Sequence, residues 1–159
     1  ISSKLNTGTV IKVYWPVTEV DTGTVSAKTE DTPNGGSETI LLAEDDEMVR
    51  NMTKLMLESA GYSVLTATDG IEAVSLIGSD ANTIDMAILD IVMPNMGGTE
   101  AFNRIHAFHL NLKVLFASGY GDTSIETETS PTFEPKSIQK PFTRNLLLQK
   151  VRETLDQKE

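Results

Sequence analysis

A doubly wound α/β fold around a parallel sheet is predicted for residues 38–159, and three observations predict it. Strand-like and helix-like segments alternate from Thr39 onward, which implies βαβ units with right-handed crossovers. Four strand-like runs stop abruptly at polar or charged residues. Ile40-Leu41-Leu42-Ala43 ends at Glu44 and Asp45, Met86-Ala87-Ile88-Leu89 at Asp90, Val114-Leu115-Phe116-Ala117 at Ser118, and Ser137-Ile138-Gln139 at Lys140. An apolar content of 39% supplies a real core, and the absence of cysteine rules out a disulfide framework or thiol chemistry. In open α/β sheets ligands bind beyond the carboxyl ends of the strands, so these strand ends converge in space. Three carboxylates, one hydroxyl and one ammonium around one crevice suit a divalent metal and a phosphoryl group.

The elements follow in order. Residues 9–15 alternate β-branched or aromatic residues with polar ones and stop at Pro16, predicting a strand preceded by a tight turn at Thr7-Gly8-Thr9. Residues 18–37 are rich in Thr, Ser, Gly and Asp, show no hydrophobic period and end in Pro33-Asn34-Gly35-Gly36, predicting a flexible linker. Met48, Val49, Met52, Leu55, Met56 and Leu57 recur at helical spacing, and Gly61 ends that helix. Residues 62–67 read as a strand. Asp69-Gly70 opens a second helix through Ile71, Ala73, Val74 and Leu76. Residues 99–108 form a third. Residues 143–155 form the last, with Leu146, Leu147, Leu148, Val151 and Leu155 on its buried side. Residues 121–136 carry several threonines, two prolines and few apolar side chains, a poor helix composition.

Charge narrows the partners. The 159 residues carry a net charge of −10, which opposes non-specific binding to nucleic acid or to anionic membranes. No apolar run approaches the roughly 20 residues of a membrane span. The chain opens at Ile1 without a signal-peptide pattern and reads as a piece of a longer protein.

The stretches 40–46 (ILLAEDD), 87–98 (AILDIVMPNMGG), 114–120 (VLFASGY) and 139–142 (QKPF) make residues 38–157 resemble a receiver domain of two-component signalling. The resemblance implies a flavodoxin-like five-stranded sheet of order 2-1-3-4-5. It also implies that Asp90 accepts a phosphoryl group, as an aspartate nucleophile can. Glu44 and Asp45 are the expected acids of a Mg²⁺ site. Asp45 and Asp90 would be direct ligands, Glu44 would act through water, and the backbone carbonyl of Val92 would be a further ligand. Ser118 and Lys140 would address the transferred phosphoryl group, the lysine as a point charge and the serine as a hydroxyl donor. The family holds the bond corresponding to Lys140-Pro141 in cis. Asp46 and Glu47 are read as favouring the first helix through its dipole, outside the site. His106 and His109 are read as solvated or half-buried, Trp15 as packing for the terminal strand, and Met93, Pro94 and Met96 as loop packing around Asp90.

Two departures accompany the resemblance. The family's fourth helix falls on residues 121–136 and is expected to be short or frayed. Its usually aromatic switch position is Ser137, which puts output through that face in doubt. Gly8-Thr9-Val10-Ile11-Lys12-Val13-Tyr14-Trp15-Pro16 resembles the last strand of a histidine-kinase ATPase domain. The expected organisation is therefore an ATPase-domain remnant at 1–17, a linker at 18–37 and a receiver at 38–159. The expected function is the phospho-accepting receiver of a hybrid sensor histidine kinase, taking its phosphoryl group from phosphohistidine, in its own kinase core or on a histidine phosphotransfer protein. Autodephosphorylation would at most be slow. The kinase's own histidine and ATP-binding glycine boxes are absent from these residues, so ATP-dependent autophosphorylation is not expected of them. The fragment is expected to be cytoplasmic and free of membrane contact, with any anchor of the parent protein lying upstream. Two alternatives remain. One is a degenerate receiver that docks without phosphorylation. The other is a Mg²⁺-dependent phosphohydrolase, opposed by Val92 where a second acid would be needed.

Overall fold

The computed structural model describes residues 2–4, 8–13, 35–80, 83–119 and 136–157. The chain divides into two compact units, Ile1–Glu30 and Asp31–Glu159. In the first, strand β1 (Ser2–Lys4) pairs antiparallel with β2 (Gly8–Val10), Ser2 opposite Val10 and Lys4 opposite Gly8. The strand predicted over 9–15 is thus shorter and begins earlier. Gly8, expected in a turn, is the first residue of β2, with φ of 115°. An alternating pattern does not say where pairing stops. Here a three-residue partner sets the limit, and Ile11, Lys12 and Val13 lie outside the strand. Tyr14 to Val17 and the linker as far as Asn34 lie outside the described residues.

The second unit runs β3 (Thr39–Ala43), α1 (Glu47–Glu58), β4 (Ser63–Ala67), α2 (Gly70–Asp80), β5 (Met86–Asp90), α3 (Gly98–His106), β6 (Lys113–Ser118), β7 (Lys136–Gln139) and α4 (Arg144–Leu155). The five strands are parallel in the order β4-β3-β5-β6-β7, which is the expected 2-1-3-4-5. The weak helix expected over 121–136 falls almost entirely outside the described residues; only Lys136 is described, and it opens β7.

Period-two alternation divides the core between the sheet's two faces. Leu41, Ala43, Ala87, Leu89, Val114 and Phe116 pack with α2 and α3. Ile40, Leu42, Met86, Ile88, Leu115, Ala117 and Ile138 pack with α1 and α4. β5 is buried at all five positions, as a central parallel strand covered on both faces must be. Phe102 of α3 meets Phe116 edge to face at 5.6 Å, fixing α3 against the sheet.

Two helices bury different residues than their apolar spacing suggests. On α1, Thr53 and Leu57 are buried, with Val49, Met56 and Ala60 beside them half-buried. Met48, Met52 and Leu55 form a second row that is 79%, 52% and 66% exposed. Two apolar rows were present, and only the one containing Val49, Thr53 and Leu57 meets the sheet. On α4, Leu147, Leu148, Val151, Thr154 and Leu155 are buried, whereas Leu146 is exposed because it lies past the edge of that face. Both histidines are half-buried as expected, and the His106 ring stacks on Phe102 at 5.3 Å. Met93 and Met96 are buried beside the Asp90 strand end, while Pro94 is exposed.

Candidate functional site

The strand ends converge as the sequence suggests. Glu44 follows β3 and is buried, and its N–H donates to the Ala67 carbonyl at 3.1 Å, which prolongs the β3–β4 ladder by one residue. Asp45, next in the chain, is exposed. Asp90 closes β5, opposite Ala117 in the register of β6, and is 6% exposed. Carboxylate oxygens of Glu44, Asp45 and Asp90 lie within 4.8 Å of one another. Lys140, just past β7, brings its Nζ to 2.5 Å from Glu44 Oε2 and 2.8 Å from Asp90 Oδ2. Ser118 is the last residue of β6, buried, and its carbonyl accepts the Lys140 N–H at 2.7 Å. The Lys140-Pro141 bond is cis. Val92 lies in the loop after Asp90 and is 64% exposed.

The electrostatics are lopsided. Burial pushes the Glu44 carboxyl above its ordinary value; the Lys140 hydrogen bond opposes this, and the charges of Asp90 and Asp45 add to it. Burial also disfavours the Lys140 ammonium, but its hydrogen bonds to Asp90 and Glu44 win and raise its value. With all groups ionised, three carboxylates against one ammonium leave about two negative charges, a deficit one divalent cation matches. All the side-chain donors are carboxylate oxygens, the hard ligands that Mg²⁺ takes.

The loops around the crevice are held by contacts that motif reading did not single out. Arg50 on α1 donates from Nη1 to the carbonyls of Glu44 at 2.7 Å and Asp45 at 3.0 Å, fixing the acidic turn. Asp46 caps α1, its Oδ1 accepting from the N–H groups of Met48 and Val49 at 2.8 and 3.0 Å. It therefore belongs to the helix, as read from the sequence. The loop after Asp90 folds back on itself, with Gly98 N–H donating to the Ile91 carbonyl at 3.1 Å. A Cβ on Gly98 would sit 2.2 Å from the Asp90 carbonyl oxygen, so only glycine allows α3 to start this close to the strand end. An apolar pocket of about 280 Å³ adjoins Lys140, lined by Val49, Met52, Thr53, Gly119, Pro141 and Phe142. Among the described residues no helix is long and apolar enough to cross a membrane.

Comparison with known proteins agrees with this geometry. The family described as response regulator receiver domain matches residues 40–152. The sensor kinase CckA of Brucella abortus is 29% identical over 165 residues, covering 99% of this chain and 18% of that protein. The CAI-1 autoinducer sensor kinase/phosphatase CqsS of Vibrio cholerae is 37% identical over 117 residues, covering 70% of this chain and 16% of its own length. The chain thus spans under a fifth of either kinase. Among solved structures, a CheY-like receiver domain protein from Methanospirillum hungatei superposes with a TM-score of 0.68 at 29% identity, over 76% of this chain and 95% of that one. The receiver domain of the hybrid histidine kinase CckA gives 0.62 at 28% identity, over 74% and 98%.

Proposed function

This chain belongs to the response regulator receiver family of two-component signalling, and we propose that Asp90 accepts a phosphoryl group from a phosphohistidine. The observation that carries the reading is the Lys140 ammonium bridging buried Glu44 and Asp90 beside exposed Asp45. A carboxylate oxygen of Asp90 attacks phosphorus, the P–N bond to the donor imidazole breaks with its electron pair kept on nitrogen, and the ring, protonated on its other nitrogen, leaves as neutral histidine with an acyl phosphate formed on Asp90. Lys140 holds positive charge where the transferred oxygens arrive, and Ser118 offers a hydroxyl donor to one of them. Asp45, Asp90 and the Val92 carbonyl would hold Mg²⁺, with Glu44 acting through water. The bound ion would neutralise charge on the phosphoryl oxygens.

The donor needs a seat beside Asp90. Met52 of the exposed row on α1 lines the apolar pocket at Lys140, whose ammonium contacts Asp90, and Met48 and Leu55 extend that apolar row along the helix. The parent protein in this reading is a hybrid sensor histidine kinase, cytoplasmic in this part, with residues 1–17 an ATPase-domain remnant, 18–37 a linker and 38–159 the receiver. The similarity to a sensor kinase over 99% of the chain, extending through the N-terminal residues, supports that context. Ser137, exposed where the family usually has an aromatic, favours the alternative of a docking module independent of phosphorylation.

Two measurements test the reading. Titrating Mg²⁺ is expected to shift the amides of residues 44–46 and 90–92 most, at millimolar metal. A small acyl-phosphate or phosphoramidate donor with Mg²⁺ is expected to add one phosphoryl mass, which Asp90→Asn abolishes. A protein that stays unmodified, or an Asp90→Asn variant that is still modified, overturns the assignment.

A further inference from the structure

The loop between Asp90 and α3 is tied to a neighbouring loop by a contact outside the crevice. Asn95 sits at φ of 61°, in the left-handed region, and donates from its amide nitrogen to Asp69 Oδ2 at 2.7 Å. The other oxygen of Asp69 accepts the Glu72 N–H at 2.9 Å, at the start of α2. Glu72 in turn accepts from the N–H and hydroxyl of Thr68 at 2.7 and 2.8 Å. The Asp69 carboxylate is thereby fixed in place before Asn95 reaches it. Beside this contact, Gly70 N–H donates to the Met96 carbonyl at 3.0 Å, and a Cβ on Gly70 would come within 2.6 Å of that same oxygen. Two successive residues of the loop, Asn95 and Met96, are therefore held by two successive residues at the start of α2, Asp69 and Gly70.

The tie bears on the crevice through the backbone. Residues 91–97 have fixed ends: Ile91 N–H donates to the Ala117 carbonyl at 3.0 Å, and Gly98 N–H closes back on Ile91. Between those ends lie the exposed Val92 and the bend at Asn95, three residues apart in one short span of backbone. We propose that Asp69 and Asn95 are positioning residues for the metal site, holding the loop so that the Val92 carbonyl and the Asp90 carboxylate face one cation together. This rests on the phospho-acceptor reading above. Neither residue contacts the reacting atoms, and their effect falls on metal affinity rather than on phosphoryl transfer once metal is bound.

The test uses the whole chain and Mg²⁺ alone, followed by amide shifts, and then phosphorylation by a small donor at saturating Mg²⁺. Asn95→Gly keeps a residue at ease with positive φ but removes the amide. It is expected to weaken Mg²⁺ about fivefold, the equivalent of roughly 1 kcal/mol for one net hydrogen bond. Phosphorylation at saturating metal should stay within about twofold of wild type. The exchange Asp69→Asn/Asn95→Asp keeps the net charge and restores the bond with donor and acceptor reversed, while the amide oxygen introduced at position 69 can still accept the Glu72 N–H. It is expected to return Mg²⁺ affinity to within about twofold of wild type. Unchanged affinity in Asn95→Gly, or no recovery in the exchange variant, overturns the positioning role and leaves the acceptor reading standing. A wild-type protein that shows no Mg²⁺ shift at residues 44–46 and 90–92 overturns both.

Discussion

Two ion clusters join β3 to the C-terminal part of the receiver, one at each end of that strand, and they are built to opposite specifications. Past the carboxyl end, Glu44 meets Lys140, with Asp90 and Asp45 alongside. Before the amino end, Glu38 meets Arg152 of α4 at 2.7 Å, and Arg152 also reaches Asp156 at 2.5 Å and the Tyr62 hydroxyl at 3.4 Å. In the first cluster burial wins and Glu44 is pushed up. In the second, burial is the largest single influence on Glu38 and raises it, but the Arg152 hydrogen bond and charge together with backbone N–H groups outweigh it, and Glu38 and Asp156 are pulled down. The stability linked to Glu44 is therefore fully present below its ordinary value of 4.5 and is lost as pH rises through its raised folded value. That linked to Glu38 is present above 4.5 and is lost as pH falls through its lowered value. One cluster holds surplus negative charge that a divalent cation would balance. The other closes the fold.

The contrast breaks most strongly at Lys140. Lys140→Ala leaves Glu44 and Asp90 buried without their ammonium, and a loss of about 3 kcal/mol is expected at pH 7. Without the lysine the Glu44 carboxyl rises further, so the deficit should be larger at pH 8 than at pH 5. Mg²⁺ binding should survive, because the metal acids remain, while phosphorylation should fall at least about 100-fold. Denaturant melts at both pH values, with intact mass after phosphodonor treatment, read these effects. A deficit that grows on acidification would contradict the raised Glu44.

The opposite cluster should respond in stability alone. Arg152→Met keeps most of the packing and removes the guanidinium from Glu38, Tyr62 and Asp156. A loss of about 2 kcal/mol is expected at pH 7, shrinking below about pH 4 as the unpaired carboxylates take up protons. Phosphorylation and Mg²⁺ affinity should stay within about twofold of wild type. If Arg152→Met weakened Mg²⁺ as strongly as it weakened the fold, the two ends would not be separable.

The two ends were also unequally legible in the sequence. Glu44, Asp45, Asp90, Ser118 and Lys140 could be picked out because each interrupts a strand at the same end, and the fold alone brings such interruptions together. Strand order followed from the resemblance to receiver domains that the four motifs carry. Glu38 and Tyr62 lie 114 and 90 positions from Arg152 along the chain, with no shared motif, so nothing local announced their meeting. The exposed row on α1 was hidden for a different reason. Periodicity reports that Met48, Met52 and Leu55 share a face, but not whether the protein covers that face. The linker boundary was obscured in a third way. Gly35 and Gly36 look flexible by composition, yet Gly36 N–H donates to the Ala60 carbonyl at 3.2 Å, and a Cβ on Gly35 would lie 1.7 Å from that same oxygen. Glycine here permits close contact rather than freedom.

Asp46 offers the smallest and sharpest separation, because it adjoins the crevice in sequence yet has partners of the fold-closing kind. Its carboxylate accepts from two backbone N–H groups at the start of α1 and appears in no contact with Lys140 among the described hydrogen bonds. Asp46→Ala should therefore cost about 1 kcal/mol, the usual loss of a helix cap. Asp46→Ser, which can still cap, should recover most of it. Neither change should alter Mg²⁺ affinity more than about twofold, since the lost charge is exposed and screened by salt. A drop in affinity comparable to that of Asp45→Ala, measured in the same titration, would make Asp46 a member of the metal site. The division would then follow nearness to the strand end rather than the bonds each carboxylate makes.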